Sequence, residues 1–282
     1  MGLLHFLNNI GIIGLGTLGT ALARGWHRVR PDLHIFATTR STSLPAFVTP
    51  CASNAELASR AQTLLLCVKP QQAAGVLDEI APALTPHHRV ISTCTGVLLA
   101  ALAAAVPPSS LVARAMPNIP CEFNEGVTAL GFTAAWPGEQ REELLRLFAL
   151  LGDAVALDER HFDAVTALSG CGPAYLCVIT EALSDAGVKA GLPRDVARRL
   201  SVQTLLGSAV LLRSVDEHPA AVRDRVTTPG GCTIDALTRL EEGGLRATLI
   251  AAVTTAAAKS AALSRYAQSA AAATIAAAIA SR

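Results

Sequence analysis

One run near the start of the chain, Asn9-Ile10-Gly11-Ile12-Ile13-Gly14-Leu15-Gly16-Thr17-Leu18-Gly19, limits the fold more than any other. A short apolar run stops at a glycine turn, and "LGTALARGWHRV" then carries apolar residues at helical spacing. Gly14, Gly16 and Gly19 form G-x-G-x-x-G. Between a strand and a helix these glycines allow a tight turn and close backbone approach, and the helix N-terminus faces a pyrophosphate. Ile13, Gly14, Leu15, Gly16, Thr17, Leu18 and Gly19 are therefore expected to bind a dinucleotide.

The alternation continues. "DLHIFATT", "TLLLCVKP", "HRVISTCTG" and "LVARAMPN" read as strands, and "NAELASRA", "QAAGVLDEIAPAL" and "LLAALAAAV" as helices, the first of them capped by Asn54 or Ser53. "GVTALGFT" is an extended piece, and "GEQREELLRLFALLG" a helix closed by Gly152. Strand and helix in alternation predict an α/β fold with a doubly wound parallel sheet. A composition 51% hydrophobic but only 4% aromatic suits such a sheet, buried on both faces by Ala, Leu and Val.

After about Asp158 the strand signal disappears and helical periodicity takes over. Pro173 and Pro193 fall at first turns, and Gly187 and Gly191 close their helices. The helix from Pro173 to Ala186 is apolar nearly all round, and a half-chain this small has little room to bury it alone. The expected organisation is a dinucleotide-binding domain over 1–157 and a helical domain over 158–282 that completes its core across a subunit interface.

A formal net charge of +1 without a Lys/Arg stripe provides no electrostatic footprint for nucleic acid or a membrane surface. No uninterrupted apolar run reaches membrane-spanning length, and the N-terminus lacks a cationic leader. Seven cysteines, scattered and without C-x-x-C, read as reduced small hydrophobes, not as a disulfide framework or a metal site. These features predict a soluble cytoplasmic protein with no nucleic-acid, membrane or metal partner.

The end of the second strand selects the cofactor. An NAD site places an acid there for the ribose 2′-hydroxyl; this chain has Ala37-Thr38-Thr39-Arg40-Ser41. Hydroxyls and a guanidinium suit a 2′-phosphate, so Thr39, Arg40 and Ser41 predict NADP(H), with NAD(H) left open. A polar loop with one surface arginine is the plain alternative. Val68, Lys69 and Pro70 end the third strand, and Thr93, Cys94 and Thr95 the fourth. Ligands lie outside such carboxyl ends, so these residues are expected to flank the nicotinamide ribose. A solvated strand-end lysine is the plain alternative for Lys69.

In the helical half, "TTPGGCTIDAL" (227–237) breaks the helical pattern. Glycines that expose N–H groups where a helix opens make a trap for a carboxylate; simple chain reversal is the other reading. Together with "LSGCGPAY" (168–175), "GVKAGLP" (187–193), "VQTLLGSA" (202–209), "LEEGG" (240–244), "VKPQ" and "RAMPNIP" (114–120), the segment 218–237 resembles the Δ1-pyrroline-5-carboxylate reductases over nearly the whole chain.

That resemblance implies an N-terminal Rossmann domain and a C-terminal helical dimerisation domain, assembled as dimers and often as decamers (pentamers of dimers). It implies hydride transfer from NAD(P)H to the C=N bond of a cyclic imino acid, giving L-proline. The substrate would lie against Gly230, Gly231, Cys232 and Thr233. Backbone N–H groups would hold its carboxylate, and the catalytic Thr233 hydroxyl would reach the ring nitrogen. Asn54 matches a position at the cofactor and Glu159 one at the substrate.

A basic imine can arrive protonated, so no lysine or histidine donor is needed, and Lys189, Lys259, His161 and His218 occupy no evident catalytic setting. Cys171 and Arg225 depart from residues common in the family, and the Ala-rich tail beyond Ser264 is longer than expected. Competing readings are a related imine reductase, a hydroxyacid dehydrogenase (disfavoured by the missing lysine) and a non-catalytic NADP-sensing dimer.

Overall fold

The structure, a computed structural model, describes residues 8–39 and 44–280, with side chains through residue 265. It divides into two units: residues up to Cys171 together with those from Thr255 onward, and Gly172–Thr254.

The first unit is built on a sheet of β1 (Asn9–Ile13), β2 (His34–Thr38), β3 (Val48–Pro50), β4 (Thr63–Leu66), β5 (Arg89–Ser92), β6 (Leu111–Met116), β7 (Gly126–Phe132) and β8 (Gly152–Ala156). Their order is β3-β2-β1-β4-β5-β6-β7-β8. β1 pairs in parallel with β2 on one side and β4 on the other, so Ile13 faces both Thr38 and Leu66. The strand order reverses there, opening a crevice at the strands' carboxyl ends, where ligands of open parallel sheets bind.

The strands carry continuous apolar runs because helices cover both faces of the sheet. Alternate residues serve opposite cores: Ile10, Ile12, Leu65 and Ile91 join one, and Ile13, Leu64, Leu66 and Val90 the other. The helices of this unit include α1 (Thr17–Val29), α2 (Asn54–Arg60), α3 (Ala73–Ile80), α4 (Leu99–Ala104) and α5 (Gly138–Ala149). Trp26, fully buried, anchors α1: its Nε1 donates to the Leu147 carbonyl at 2.9 Å, and its ring meets Phe148 edge-on at 5.4 Å.

Ser53 caps α2. Its Oγ accepts from the Glu56 amide at 3.1 Å, and Glu56 Oε2 accepts from the Ala52 amide at 2.7 Å. Asn54 is the first helical residue, and its side chain is left for another use. Ser53→Ala should therefore cost about 1 kcal/mol, read as a lower urea midpoint with an unchanged m-value.

Several details differ from the sequence expectations. The sheet is not wholly parallel: β7 runs antiparallel to β6, after a 3-10 turn at Ile119–Phe123 that ends in left-handed Asn124 (φ 61°). β3 and β8 are additional strands. Gly152 does not close α5, which ends at Ala149; it opens β8 at φ 135° against the Gly126 backbone.

The segment after Asp158 is not one helix. It forms a 3-10 turn (Glu159–His161), α6 (Phe162–Val165) and a π-turn (Thr166–Gly170), in which the Cys171 amide donates to the Thr166 carbonyl at 2.9 Å. Phe162 is buried against Met116 and Ala129. The segment thus packs with the sheet unit, which runs to Cys171.

The second unit holds α7 (Gly172–Lys189), α8 (Arg194–Ser214), α9 (Pro219–Arg225), α10 (Cys232–Glu242) and the start of α11 (Leu245–Ala280). Gly187 lies inside α7 and does not close it. A Cβ there would stand 3.0 Å from the Ala197 Cβ, so the glycine is a notch for α8; the stop is Gly191, at φ 101°. Although α7 is apolar, Ser184 is its only buried residue.

Two helical runs among the described residues, Glu159–Lys189 and Leu245–Arg265, are long and apolar enough to cross a membrane by length and composition. Polar and charged residues interrupt both runs, so neither is an unbroken apolar stretch in the sequence.

Candidate active site

At the switch crevice each glycine of the turn does a separate job. Gly14 sits at φ 91°, and a Cβ there would stand 2.8 Å from both the Cys67 carbonyl oxygen and Val68 Cγ1. Gly19 packs helix on strand: its Cβ would lie 2.7 Å from the Gly14 carbonyl oxygen and 3.2 Å from Ile12 Cγ2. Gly16 differs from both, since nothing lies within 4 Å of where its Cβ would be. Open space at that glycine is the room a diphosphate needs.

Gly16 is also the N-cap of α1, with no side-chain cap and no acid in the first turn. The first amides of the helix are thus turned toward the gap, where a diphosphate suits the dipole. Ile13, Leu15, Thr17 and Leu18 complete the turn. Gly14 and Leu15 amides donate to the Thr38 carbonyl at 3.0 and 3.3 Å, tying it to the end of β2.

Thr39 follows β2 directly; Arg40 and Ser41 lie outside the described residues. Beside them, Thr38 Oγ1 donates to Asn54 Oδ1 at 2.5 Å, and Asn54 Nδ2 donates to Glu79 Oε2 at 2.7 Å. The Asn54 amide group is thus held from both ends beside the end of β2. Glu79, on α3, carried no motif in the sequence and was missed.

At the other side, Val68 and Lys69 lead into a 3-10 turn begun by Pro70, with the Lys69 amide donating to Gln72 Oε1 at 3.3 Å. Thr93 Oγ1 donates to the Leu66 carbonyl at 3.0 Å, and Cys94 Sγ to the Val68 carbonyl at 3.3 Å. Both side chains are buried ties between strand ends, and Thr95 beyond them is half-exposed. Burial pushes the Cys94 thiol up and the Cys67 thiol up to about 12, so neither supplies a thiolate here near neutral pH.

Glu159, expected at the substrate, has its Oε1 engaged within the unit. It accepts from the Leu99 amide and from Arg114 Nη1, each at 2.7 Å. Arg114 is nearly fully buried, with its guanidinium 4.7 Å over the Phe162 ring. A guanidinium this enclosed must be paired, and its partner Glu159 stays partly exposed at 24%. The pair spans 45 residues of sequence, and only the "RAMPNIP" motif drew attention to Arg114.

In the second unit, Gly230 takes φ 68°, and the Gly231 amide closes a turn onto the Thr228 carbonyl at 3.1 Å. Gly231 then serves as the N-cap of α10 with no side-chain cap, so the amides at Cys232 and Thr233 begin a helix without an internal acceptor. Gly230 and Cys232 are exposed and Thr233 is half-buried.

Arg225 pairs with Glu217 at 3.2 Å. His218 caps α9, its Nδ1 accepting from the Ala220 amide at 3.2 Å, and His161 Nε2 lies 3.2 Å from Arg160 Nε. Among the described residues no group of three or more His, Cys, Asp or Glu is placed to hold a metal ion.

The sheet, its switch crevice and the uncapped glycine turn define a dinucleotide-dependent oxidoreductase of the Rossmann type. Two family models match the chain: "NADP oxidoreductase coenzyme F420-dependent" over residues 9–96 and "Pyrroline-5-carboxylate reductase dimerisation" over 159–263. A pyrroline-5-carboxylate reductase of Glycine max is 35% identical over 263 residues, covering 90% of this chain and 96% of that one. One from Synechocystis is 41% identical over 200 residues, covering 71% and 74%. The crystal structure of Plasmodium falciparum pyrroline carboxylate reductase with NADP bound superposes with a TM-score of 0.84 at 31% identity, covering 93% of this chain and all of that one.

The chain belongs to the pyrroline-5-carboxylate reductase family. Its residues 159–263 match the family's dimerisation region.

Proposed function

We infer that the chain reduces the C=N bond of Δ1-pyrroline-5-carboxylate to give L-proline, with NADPH as the preferred donor and NADH as a weaker one. Bound NADPH supplies the hydride. The observation that carries the reading is that one chain presents two uncapped helix starts at glycine: one at Gly16, with open space at its Cβ position for a diphosphate, and one at Gly231, preceded by the exposed and open Gly230, for a small carboxylate.

On this reading Ile13 through Gly19 seat the diphosphate, with Thr39, Arg40, Ser41 and Asn54 at the adenosine ribose. Val68, Lys69, Pro70, Thr93, Cys94 and Thr95 border the nicotinamide half. The amides of Gly230 to Thr233 hold the substrate carboxylate, and the Thr233 hydroxyl orients the ring nitrogen. The substrate enters as the iminium ion, so hydride addition at carbon gives the secondary amine without a separate proton donor. Glu159 contributes by fixing Arg114 and the start of α4. The active form is a homo-oligomer in the cytoplasm, with a pentamer of dimers as the assembly to look for.

The test follows NADPH absorbance with Δ1-pyrroline-5-carboxylate beside carboxylate-free 1-pyrroline and a 2-keto acid. Fast oxidation is expected with the carboxylated imine alone. Equal rates with 1-pyrroline would remove the carboxylate trap, and no turnover with any imine would remove the reductase reading. Thr233→Val should lower kcat/KM by about 10- to 100-fold, the loss of one hydrogen bond to a charged group, with NADPH affinity unchanged.

A further inference from the structure

The loop between β5 and α4 is gripped at two points by groups far away in sequence. At one point the Leu99 amide donates to Glu159 Oε1 at 2.7 Å. At the other, Gly96, at φ 80° and buried, lies under α11: a Cβ there would stand 3.0 Å from Ser264 Cα. Helix α11 is in turn fastened to Asp163. Ser260 Oγ donates to Asp163 Oδ1 at 2.6 Å, and Ser264 Oγ lies 3.3 Å from the same oxygen and 3.1 Å from the Ser260 carbonyl.

Both serines are buried, at 4% and 7% exposure. Serine inside a helix usually turns back to its own chain. Ser260 instead spends its hydroxyl on a carboxylate 97 residues away, a charge-assisted bond shielded from water. Glu159 and Asp163 stand one helical turn apart on one short segment. That segment and α11 thus hold the stretch from Gly96 to Leu99 between them.

We propose that Asp163 is a positioning residue for the reductase reaction: through Ser260 and Ser264 it seats α11 on Gly96 and fixes the β5–α4 loop at the cofactor edge of the sheet. The proposal rests on the reductase reading above, in which Thr93, Cys94 and Thr95 of this loop border the nicotinamide. A loop at the reacting end need move only about 1 Å to cost roughly a hundredfold in rate.

The experiment compares Asp163→Ala, Asp163→Asn and the double variant Ser260→Ala/Ser264→Ala with the unaltered protein. Hydrogen exchange of the peptide covering residues 93–99 is read in cofactor-free protein, and kcat at saturating NADPH separately. Asp163→Ala should exchange that peptide at least tenfold faster, with the β1 and β4 peptides unchanged, and lose about tenfold or more in kcat. Asp163→Asn keeps an acceptor oxygen for Ser260 and should stay within about threefold of the unaltered protein in both readouts. The double serine variant should reproduce Asp163→Ala, and it decides the matter alone if that variant does not fold.

Unchanged loop exchange in a folded variant would overturn the proposal. So would faster exchange with unchanged kcat, or loosening spread equally over the whole sheet. An unaltered protein that reduces no imine would remove the reductase reading, and the positioning role with it, while the exchange data would still show whether the clamp itself exists.

Discussion

Gly16→Val is expected to leave the chain folded and to weaken NADPH binding by about a hundredfold or more (~3 kcal/mol). The contrast with its neighbours makes the result diagnostic. Gly14 is hemmed by a backbone carbonyl and held at a positive φ, so Gly14→Ala adds strain of about 1–3 kcal/mol plus a clash that only main-chain movement relieves. Gly19→Ala would push α1 off β1. Both should lower the melting temperature and lose NADPH as a consequence.

At Gly16 an added Cβ meets no protein atom within 4 Å, so the apoprotein should lose little beyond the roughly 1 kcal/mol of a poorer N-cap. It meets only the ligand, whose phosphate would lose charge-assisted bonds worth roughly 1.5–3 kcal/mol each. Isothermal titration with NADPH beside a thermal melt separates the cases. Tight binding by folded Gly16→Val would mean that the diphosphate does not sit on this turn, and would remove the cofactor assignment at its root.

That turn was legible in the sequence because its physics is local: strand, glycines and helix lie within a dozen residues. The parallel order of the central strands was also legible, since continuous apolar runs separated by helices leave few alternatives. What escaped was decided by partners remote in sequence or by direction. "GVTALGFT" reads as extended, yet nothing in it says that it turns back on β6. β8 is five residues of Gly, Asp, Ala, Val and Ala with a weak burial pattern, too short for periodicity to register.

A glycine in a helical run looks the same whether it stops the helix, as Gly191 does, or makes a notch, as Gly187 does. Only the neighbouring Ala197 distinguishes them. The candidate site divides in the same way. Its glycines announce themselves, whereas the pairing of Glu159 with Arg114, 45 residues away, leaves no local signal. Asp163 gave no signal at all without the two serines a third of the chain away.

A second large effect is expected at the helical surface. α7 exposes Leu176, Val178 and Leu183, and α8 exposes Leu200, Val202 and Leu206, with Val178 at 65% and Leu206 at 54%. One chain leaves these apolar faces in water, although they lie inside a region whose family role is dimerisation. On α7 the same exposure falls within one of the two runs apolar enough to suit a membrane: a face meant for protein and a face meant for lipid look alike by hydropathy.

A two-fold interface contains every residue twice. Removing one Val or Leu from it therefore forfeits about 3–6 kcal/mol, twice the roughly 1.5–3 kcal/mol of a single buried side chain, before the desolvation of an introduced charge is added. Val178→Asp should thus weaken self-association by roughly a hundredfold or more, shifting the mass measured by light scattering toward the monomer at micromolar concentration.

NADPH should still bind this variant, because the glycine turn and its supports lie wholly in the first unit. Imine reduction should fall with the loss of assembly and recover as protein concentration is raised. An unchanged mass for Val178→Asp would place the interface on other faces, and Leu206→Asp on α8 would then be the next substitution to weigh. Retained activity in a proven monomer would show that self-association stabilises the helical unit without being needed for the chemistry.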